Sequence, residues 1–210
     1  MIVYGASLSP YVRKVLVVAT EKGMEFEHKV SPPGAPDPDF LACSPFRKIP
    51  ALRDGDFGIS DSTAIVHYLE AVKPDPAMIP AEAKARAKVV WFEEFADTIL
   101  SAPIGTMFYN RVVAPKFMGR EGDLAAADKA EAEVLPPAMD YLECVAPESG
   151  FLVGDSITLA DIGVCTMIQN ILHLGIDIGR WPKTKAYAEA ILARPSFARW
   201  VETERRVLGR

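Results

Sequence analysis

The stretch KPDPAMIP, residues 73–80, carries three prolines in eight positions. Each proline lacks an amide donor and disfavours helix at the residue before it, so neither a helix nor a central strand runs through this segment. The chain changes character across it. Before the break, short strand patterns alternate with helical ones. After it, from about Ala81 to Arg210, helical segments rich in Ala, Glu, Lys and Arg follow one another with no strand pattern. We therefore expect an α/β domain over 1–76, a linker over 77–84 and an all-α domain over 85–210. With 210 residues, half of them apolar, the chain is long enough for two cores.

The first part opens as β-α-β. IVYG reads as a strand, Pro10 to Lys22 as a helix, and EFEHKV alternates as a strand should. SPPGAPDPDF follows as a loop, and IPALRD and FGIS flank the turn DGD, which predicts a hairpin. STAIVHYLEAV is a helix starting after Asp61. In the second part, AKVVWFEEFADTIL places Val89, Phe92, Phe95, Ala96 and Ile99 on one helical face, with Glu93, Glu94 and Asp97 between them. Later helices are expected near Leu124–Val145, Thr158–His173, Trp181–Leu192 and Ser196–Val207, with Pro182 and Pro195 in first turns.

Charge and composition exclude several roles. A net charge of −5 and a pI near 5.3 argue against a nucleic-acid surface, which needs excess Lys and Arg. No basic leader precedes an apolar run, and no window reaches a membrane span, so a cytoplasmic chain without a membrane partner is expected. Cys43, Cys144 and Cys165 form no C-x-x-C and read as free thiols, so no metal is expected. His28, His67, His173 and the three tryptophans match no catalytic motif.

Three stretches could carry chemistry. In SLSPYVRK, Pro10 suits the first helical turn and makes Ser9 the N-cap, whose hydroxyl either caps or donates to an anion such as a thiolate. In RKIPAL, Pro50 starts a strand. Base rates favour a trans Ile49-Pro50 bond, whereas a cis bond would turn the Ile49 amide and carbonyl toward an extended peptide ligand. In SDSTAI, Ser60, Asp61, Ser62 and Thr63 bunch at a helix start, where Ser62 and the helix amides suit a carboxylate and Asp61 an ammonium. Separately, DSITLADI is a capping box, Thr158 with Asp161, flanked by Ile157 and Ile162 as a hydrophobic staple; its role is folding.

The order of these motifs, Ser-Pro at the first helix, K-I-P-A-L, D-S-T-A-I, a proline-rich linker and then S-I-T-L-A-D-I among helices, resembles the cytosolic glutathione S-transferases over essentially the whole chain. That resemblance implies a thioredoxin-like N-terminal domain, an all-α C-terminal domain, a glutathione site mainly in the first, an apolar substrate site between them, and a homodimer. It implies Ser9 as the catalytic serine that donates to the glutathione sulfur. Ile49, before a cis Pro50, would pair with the cysteinyl unit, Lys48 would meet a carboxylate, and Asp61 and Ser62 would hold the γ-glutamyl end. Ser7 and Tyr4 are alternative activating groups. The Ser-Ser-Cys-Ser pattern of the zeta class is missing, and neither position 7 nor 9 is cysteine.

A free thiol with a pKa of about 8.5 is only a few per cent thiolate at neutral pH. Lowering it by about two units, roughly 2.7 kcal/mol, makes thiolate the main form. The expected reaction is thiolate attack on a hydrophobic electrophile, with Tyr109 and Arg111 of TMFYNR as substrate-side candidates. Glutathione-dependent peroxide or disulfide reduction, and non-catalytic binding of glutathione or apolar ligands, are the alternatives.

Overall fold

In the computed structural model, residues 1–30, 37–148 and 150–209 are described. Of the loop read at 31–40, residues 31–36 lie outside the described residues. Two compact units emerge: Met1–Ile79 with Pro195–Arg210, and Pro80–Arg194.

The first unit holds a four-stranded sheet, β1 (Ile2–Tyr4), β2 (Glu27–Lys29), β3 (Ala51–Asp54) and β4 (Phe57–Ser60), in the order β2-β1-β3-β4. β1 and β2 are parallel, joined through the helix α1 (Pro10–Glu21), and the β1–β3 and β3–β4 pairs are antiparallel. The hairpin turn at DGD places Gly55 at φ 61°. The run read as loop contains a helix, α2 (Pro38–Cys43), because Asp37 accepts the Asp39 amide at 2.8 Å and Pro38 fits its first turn. Phe40 and Cys43 of α2 close over Tyr4 and Ala51. α3 (Ser62–Val72) completes this part and packs on α1.

α1 is buried along most of its length, from Val12 to Ala19, although Arg13 and Lys14 sit in that run. Arg13 is accommodated by a bidentate pair, its Nε and Nη2 donating to Glu204 at 2.9 and 2.7 Å with both side chains fully buried. Glu204 lies on α10 (Pro195–Leu208). The sequence pattern counts this last helix with the all-α part; in the structure it groups with the sheet. The Glu204 pair, the Ser196 hydroxyl donating to Glu21, and Trp200 against Phe26 and His28 supply the reason. The proline-rich break is also tied down here: Lys22 donates to Glu70 at 2.5 Å and to the Pro76 carbonyl at 2.7 Å, and Glu70 accepts the Met78 amide at 3.0 Å.

The second unit is helical. α4 (Ala83–Glu94) begins on Glu82, whose carboxylate accepts the Lys84 and Ala85 amides. It continues through a wide-turn segment (Phe95–Leu100), α5 (Ser101–Phe108) and a second wide segment (Tyr109–Phe117) that contains Pro115. α6 (Leu124–Lys129), a third wide segment (Ala130–Val134) and α7 (Leu135–Val145) run as another continuous stretch. α8 (Leu159–His173), buried almost throughout, packs on α4, α5 and α9 (Pro182–Leu192). The i→i+5 turns correct the predicted face of AKVVWFEEFADTIL. Val89, Phe92, Phe95 and Ala96 are buried, but Ile99 is 45% exposed and Leu100 is buried in its place. A wide turn advances the helix phase by about one residue, which a 3.6-residue pattern does not register. Glu93, expected on the outer face, is buried.

Candidate active site

Register places the three candidate stretches at one end of the sheet. Tyr4, the last residue of β1, pairs with Ala51, the first of β3, and Ala51 pairs with Ser60, the last of β4. The turn carrying Ser7 and Ser9 leaves just after Tyr4. Lys48, Ile49 and Pro50 arrive just before Ala51, and Asp61 and Ser62 follow Ser60. Three loops from separate parts of the domain thus leave or enter along a single row of the sheet.

At the first loop, Ser9 donates its amide to the Ala6 carbonyl at 3.0 Å and its carbonyl accepts the Arg13 amide at 2.9 Å. Its backbone occupies the N-cap position, yet its side chain makes no cap hydrogen bond and is half-buried. The hydroxyl is therefore still available as a donor at the positive end of α1. Ser7 is buried inside the same turn. Tyr4 is fully buried beneath Phe40, with ring centroids 5.9 Å apart, and its phenol has no hydrogen-bond partner among the described residues. Burial raises the Tyr4 pKa, and Asp37 and Asp39 add to the effect, so the group stays a protonated core phenol facing away from solvent.

At the second loop the Ile49-Pro50 bond is cis, as the resemblance implies and against the general base rate. Among the described residues neither the amide nor the carbonyl of Ile49 takes part in a hydrogen bond. The buried Ser44 holds the residue before it: its hydroxyl donates to the Lys48 carbonyl at 2.7 Å and accepts the Lys48 amide at 2.9 Å, leaving the Lys48 side chain exposed. Ser44 is absent from the motif reading; the Ser-Pro dipeptide signals a turn, but nothing in it signals a clamp.

At the third loop Asp61 sits at φ 86°, ψ 128°, in the left-handed half of the map that non-glycine residues avoid at a cost of about 1–3 kcal/mol. Its carboxylate accepts the Ala64 amide at 3.0 Å. Ser62, the first residue of α3, is 4% exposed. Thr63 is reached by Lys14 of α1 at 3.4 Å, which ties the start of α3 to the helix that Ser9 begins.

Two domain profiles match the chain: glutathione S-transferase N-terminal domain over residues 3–77 and glutathione S-transferase C-terminal domain over residues 108–204. Glutathione S-transferase 3 of Zea mays is 33% identical over 94% of this chain and 91% of its own length. The chain belongs to the glutathione S-transferase family. Among solved structures, the apo form of glutathione S-transferase III superposes with a TM-score of 0.80 at 33% identity, covering 96% of this chain and 95% of that one. Glutathione transferase F7 of Populus trichocarpa gives 0.82 at 27% identity, covering 96% and 97%. The family fold, a thioredoxin-like α/β part followed by an all-α part, is the one described above.

The family's helical part contributes two further candidates here. Tyr109 is 40% exposed; its hydroxyl accepts from Arg120, whose guanidinium lies 5.7 Å from the ring centroid. Arg111, two positions on, is turned elsewhere. It donates to Asp128 at 2.7 Å and also to Glu131, at the wall of a cavity of about 410 Å³ shared with Asp177, Arg180 and Trp181. The structure does not bring Tyr109 and Arg111 into one group. The Asp161 carboxylate accepts the Thr158 amide and hydroxyl at 2.9 and 3.0 Å, the Leu152 amide at 2.8 Å and the Tyr187 hydroxyl at 2.8 Å. Burial drives the Tyr187 phenol well up, so it remains a donor to Asp161. Among the described residues no group of three or more His, Cys, Asp or Glu could hold a metal ion, and no helix is long and apolar enough to cross a membrane.

Proposed function

We propose that this glutathione transferase activates the glutathione thiol through the Ser9 hydroxyl, and that Lys48, Ile49, Pro50, Asp61 and Ser62 bind the tripeptide. The observation that carries this reading is the unused Ser9 side chain at the N-cap of α1, in the same row of loops as the unpaired Ile49 backbone and the Asp61-Ser62 turn. Glutathione is extended and peptide-like, with a carboxylate and an α-amino acid end. The Ile49 amide and carbonyl suit its cysteinyl backbone, the exposed Lys48 ammonium a carboxylate, and Asp61 with Ser62 its γ-glutamyl head.

Ser9 acts as a hydrogen-bond donor and not as a nucleophile. The thiol proton passes to solvent, and the thiolate is held by the Ser9 O–H and by the partial positive charge of the α1 N-terminus, about half a unit. The sulfur lone pair then forms a C–S bond to an electrophilic carbon. Either a leaving group departs with the displaced electron pair, or an activated alkene takes the pair and is protonated. The second substrate in this proposal is a hydrophobic electrophile, met on the helical side by the exposed ring of Tyr109, and the working form is a cytosolic homodimer with 1–76 as its glutathione-binding domain.

The test is a pH titration of protein-bound glutathione by thiolate ultraviolet absorbance. The wild type should ionise about two units below the free thiol, and Ser9→Ala should move the midpoint up toward about 8.5, short of it by the share that the α1 N-terminus still supplies. Ser7→Ala and Tyr4→Phe should leave the midpoint in place. An unmoved midpoint in Ser9→Ala sinks the assignment, and a wild type that binds glutathione without ionising it points to a binding protein.

A further inference from the structure

His28 lies in the middle of β2, opposite Val3 of β1, and matches no catalytic motif. Its Nε2 is 2.7 Å from the Gly5 carbonyl oxygen. A carbonyl only accepts, so Nε2 carries the proton and donates. The half-buried ring also stands edge-on to Trp200 of α10, centroids 5.0 Å apart at 83°, with Arg199 over the same indole at 4.5 Å.

Gly5 is the first residue of the loop that leads to Ser7 and Ser9, and its position admits little freedom. Its φ is 130°, and its amide donates to the Lys29 carbonyl at 2.9 Å. A Cβ placed on it would lie 2.6 Å from Val12 Cγ2 and 2.9 Å from Ile49 Cβ. The Gly5 backbone is thus wedged between the first turn of α1, which carries Ser9, and the residue whose backbone is offered to glutathione. A displacement of Gly5 moves both sides of the wedge, because side chains packed that closely transmit shifts of a few tenths of an ångström.

We propose that His28 is a positioning residue of the glutathione site. Seated on Trp200, it holds the Gly5 carbonyl and thereby sets the distance between the Ser9 end of α1 and the Ile49 backbone. It touches neither substrate. The proposal rests on the glutathione-site reading above, and through the Trp200 seat under His28 the C-terminal helix reaches the Gly5 side of the site, as it reaches α1 through the Arg13–Glu204 pair.

The experiment compares His28→Gln, whose amide retains a donor at about the Nε2 reach, with His28→Leu, which retains volume and removes the donor. The readouts are the KM for glutathione, kcat with a saturating aromatic halide, and the thiolate titration of bound glutathione. Thermal unfolding of each variant accompanies them. His28→Leu should raise the KM for glutathione about tenfold and move the thiolate midpoint upward, and His28→Gln should recover most of both. Should His28→Leu not fold, His28→Asn, too short to reach Gly5 yet polar enough for a half-buried strand position, should show the same two shifts. Wild-type KM and thiolate midpoint in the donor-free variant overturn the proposal, as does a glutamine variant equal to leucine. A wild type that does not bind glutathione overturns the site reading and this proposal together; a normal wild type with an indifferent His28→Leu overturns only this one.

Discussion

Two helix starts in this chain look alike on paper and differ in what they do with a hydroxyl. At Thr158, the side chain and amide are both taken by the Asp161 carboxylate, which is fully buried and also receives Leu152 and Tyr187. At Ser9, the backbone is in the cap position but the hydroxyl is bonded to nothing among the described residues and the residue is half-buried. The first start uses all its donors and acceptors for stability. The second leaves one donor over, and a residual donor at a helix N-terminus is what a thiolate requires. Asp61 stands between the two: it caps α3 through Ala64 and does so from a backbone conformation costly to any residue but glycine.

The contrast is sharpest under substitution. Asp161→Ala strips the partner from two amides, a hydroxyl and a phenol in a buried setting, so stability should fall by roughly 3 kcal/mol or more in denaturant unfolding. A fall of less than about 1 kcal/mol would mean that water or a neighbouring group takes over those donors. Ser9→Ala, which removes the hydroxyl's share of the roughly 2.7 kcal/mol of thiolate stabilisation in the proposed mechanism, should leave unfolding within about 0.5 kcal/mol of wild type, since no cap bond is lost. A stability loss as large as a lost cap, about 1 kcal/mol, would show that the Ser9 hydroxyl caps in solution.

Asp61→Gly tests the intermediate case. Glycine relieves the positive φ and, as an N-cap, costs only a few tenths of a kcal/mol against aspartate, so stability should hold or rise. The KM for glutathione should nevertheless rise about tenfold, because the carboxylate that would meet the γ-glutamyl ammonium is gone. Equal KM values would remove Asp61 from the proposed site.

The smallest effect is expected at an exposed cap. The Lys84 and Ala85 amides hold the Glu82 carboxyl below the usual carboxylate range. Its folded value lies below its unfolded one, so its contribution is present at neutral pH and is lost as the pH falls through the folded value. Glu82→Gln should therefore lower Tm slightly at pH 7 and leave the acid limb of a Tm–pH profile slightly flatter. An unchanged profile would show that the cap is silent.

Much of the fold was legible because its signals are local. The prolines of residues 73–80, the alternation of EFEHKV, the turn at DGD and the box at Thr158 each state a backbone preference within a few residues. α2 was missed because a run of prolines and a glycine reads as loop, although Asp37 and Pro38 are themselves a helix start. Ile99 differs from the pattern because a wide turn shifts the helix phase without altering composition, and Glu93, which precedes that turn, is buried where α8 approaches it at Gly163.

What the sequence determined alone is which residue types stand at each loop and helix start, and with them the family and the three candidate stretches. Which donors remain unused was decided by tertiary structure. Sheet register set Tyr4, Ala51 and Ser60 in one row, and packing against Phe40 buried the Tyr4 phenol. Long-range partners also gave roles to Arg13 and His28 that no spacing encodes. The physical reason is that a cap or turn preference is a free energy of neighbouring residues, whereas hydrogen-bond saturation depends on groups brought near by folding, for Arg13 and Glu204 across 191 positions of chain.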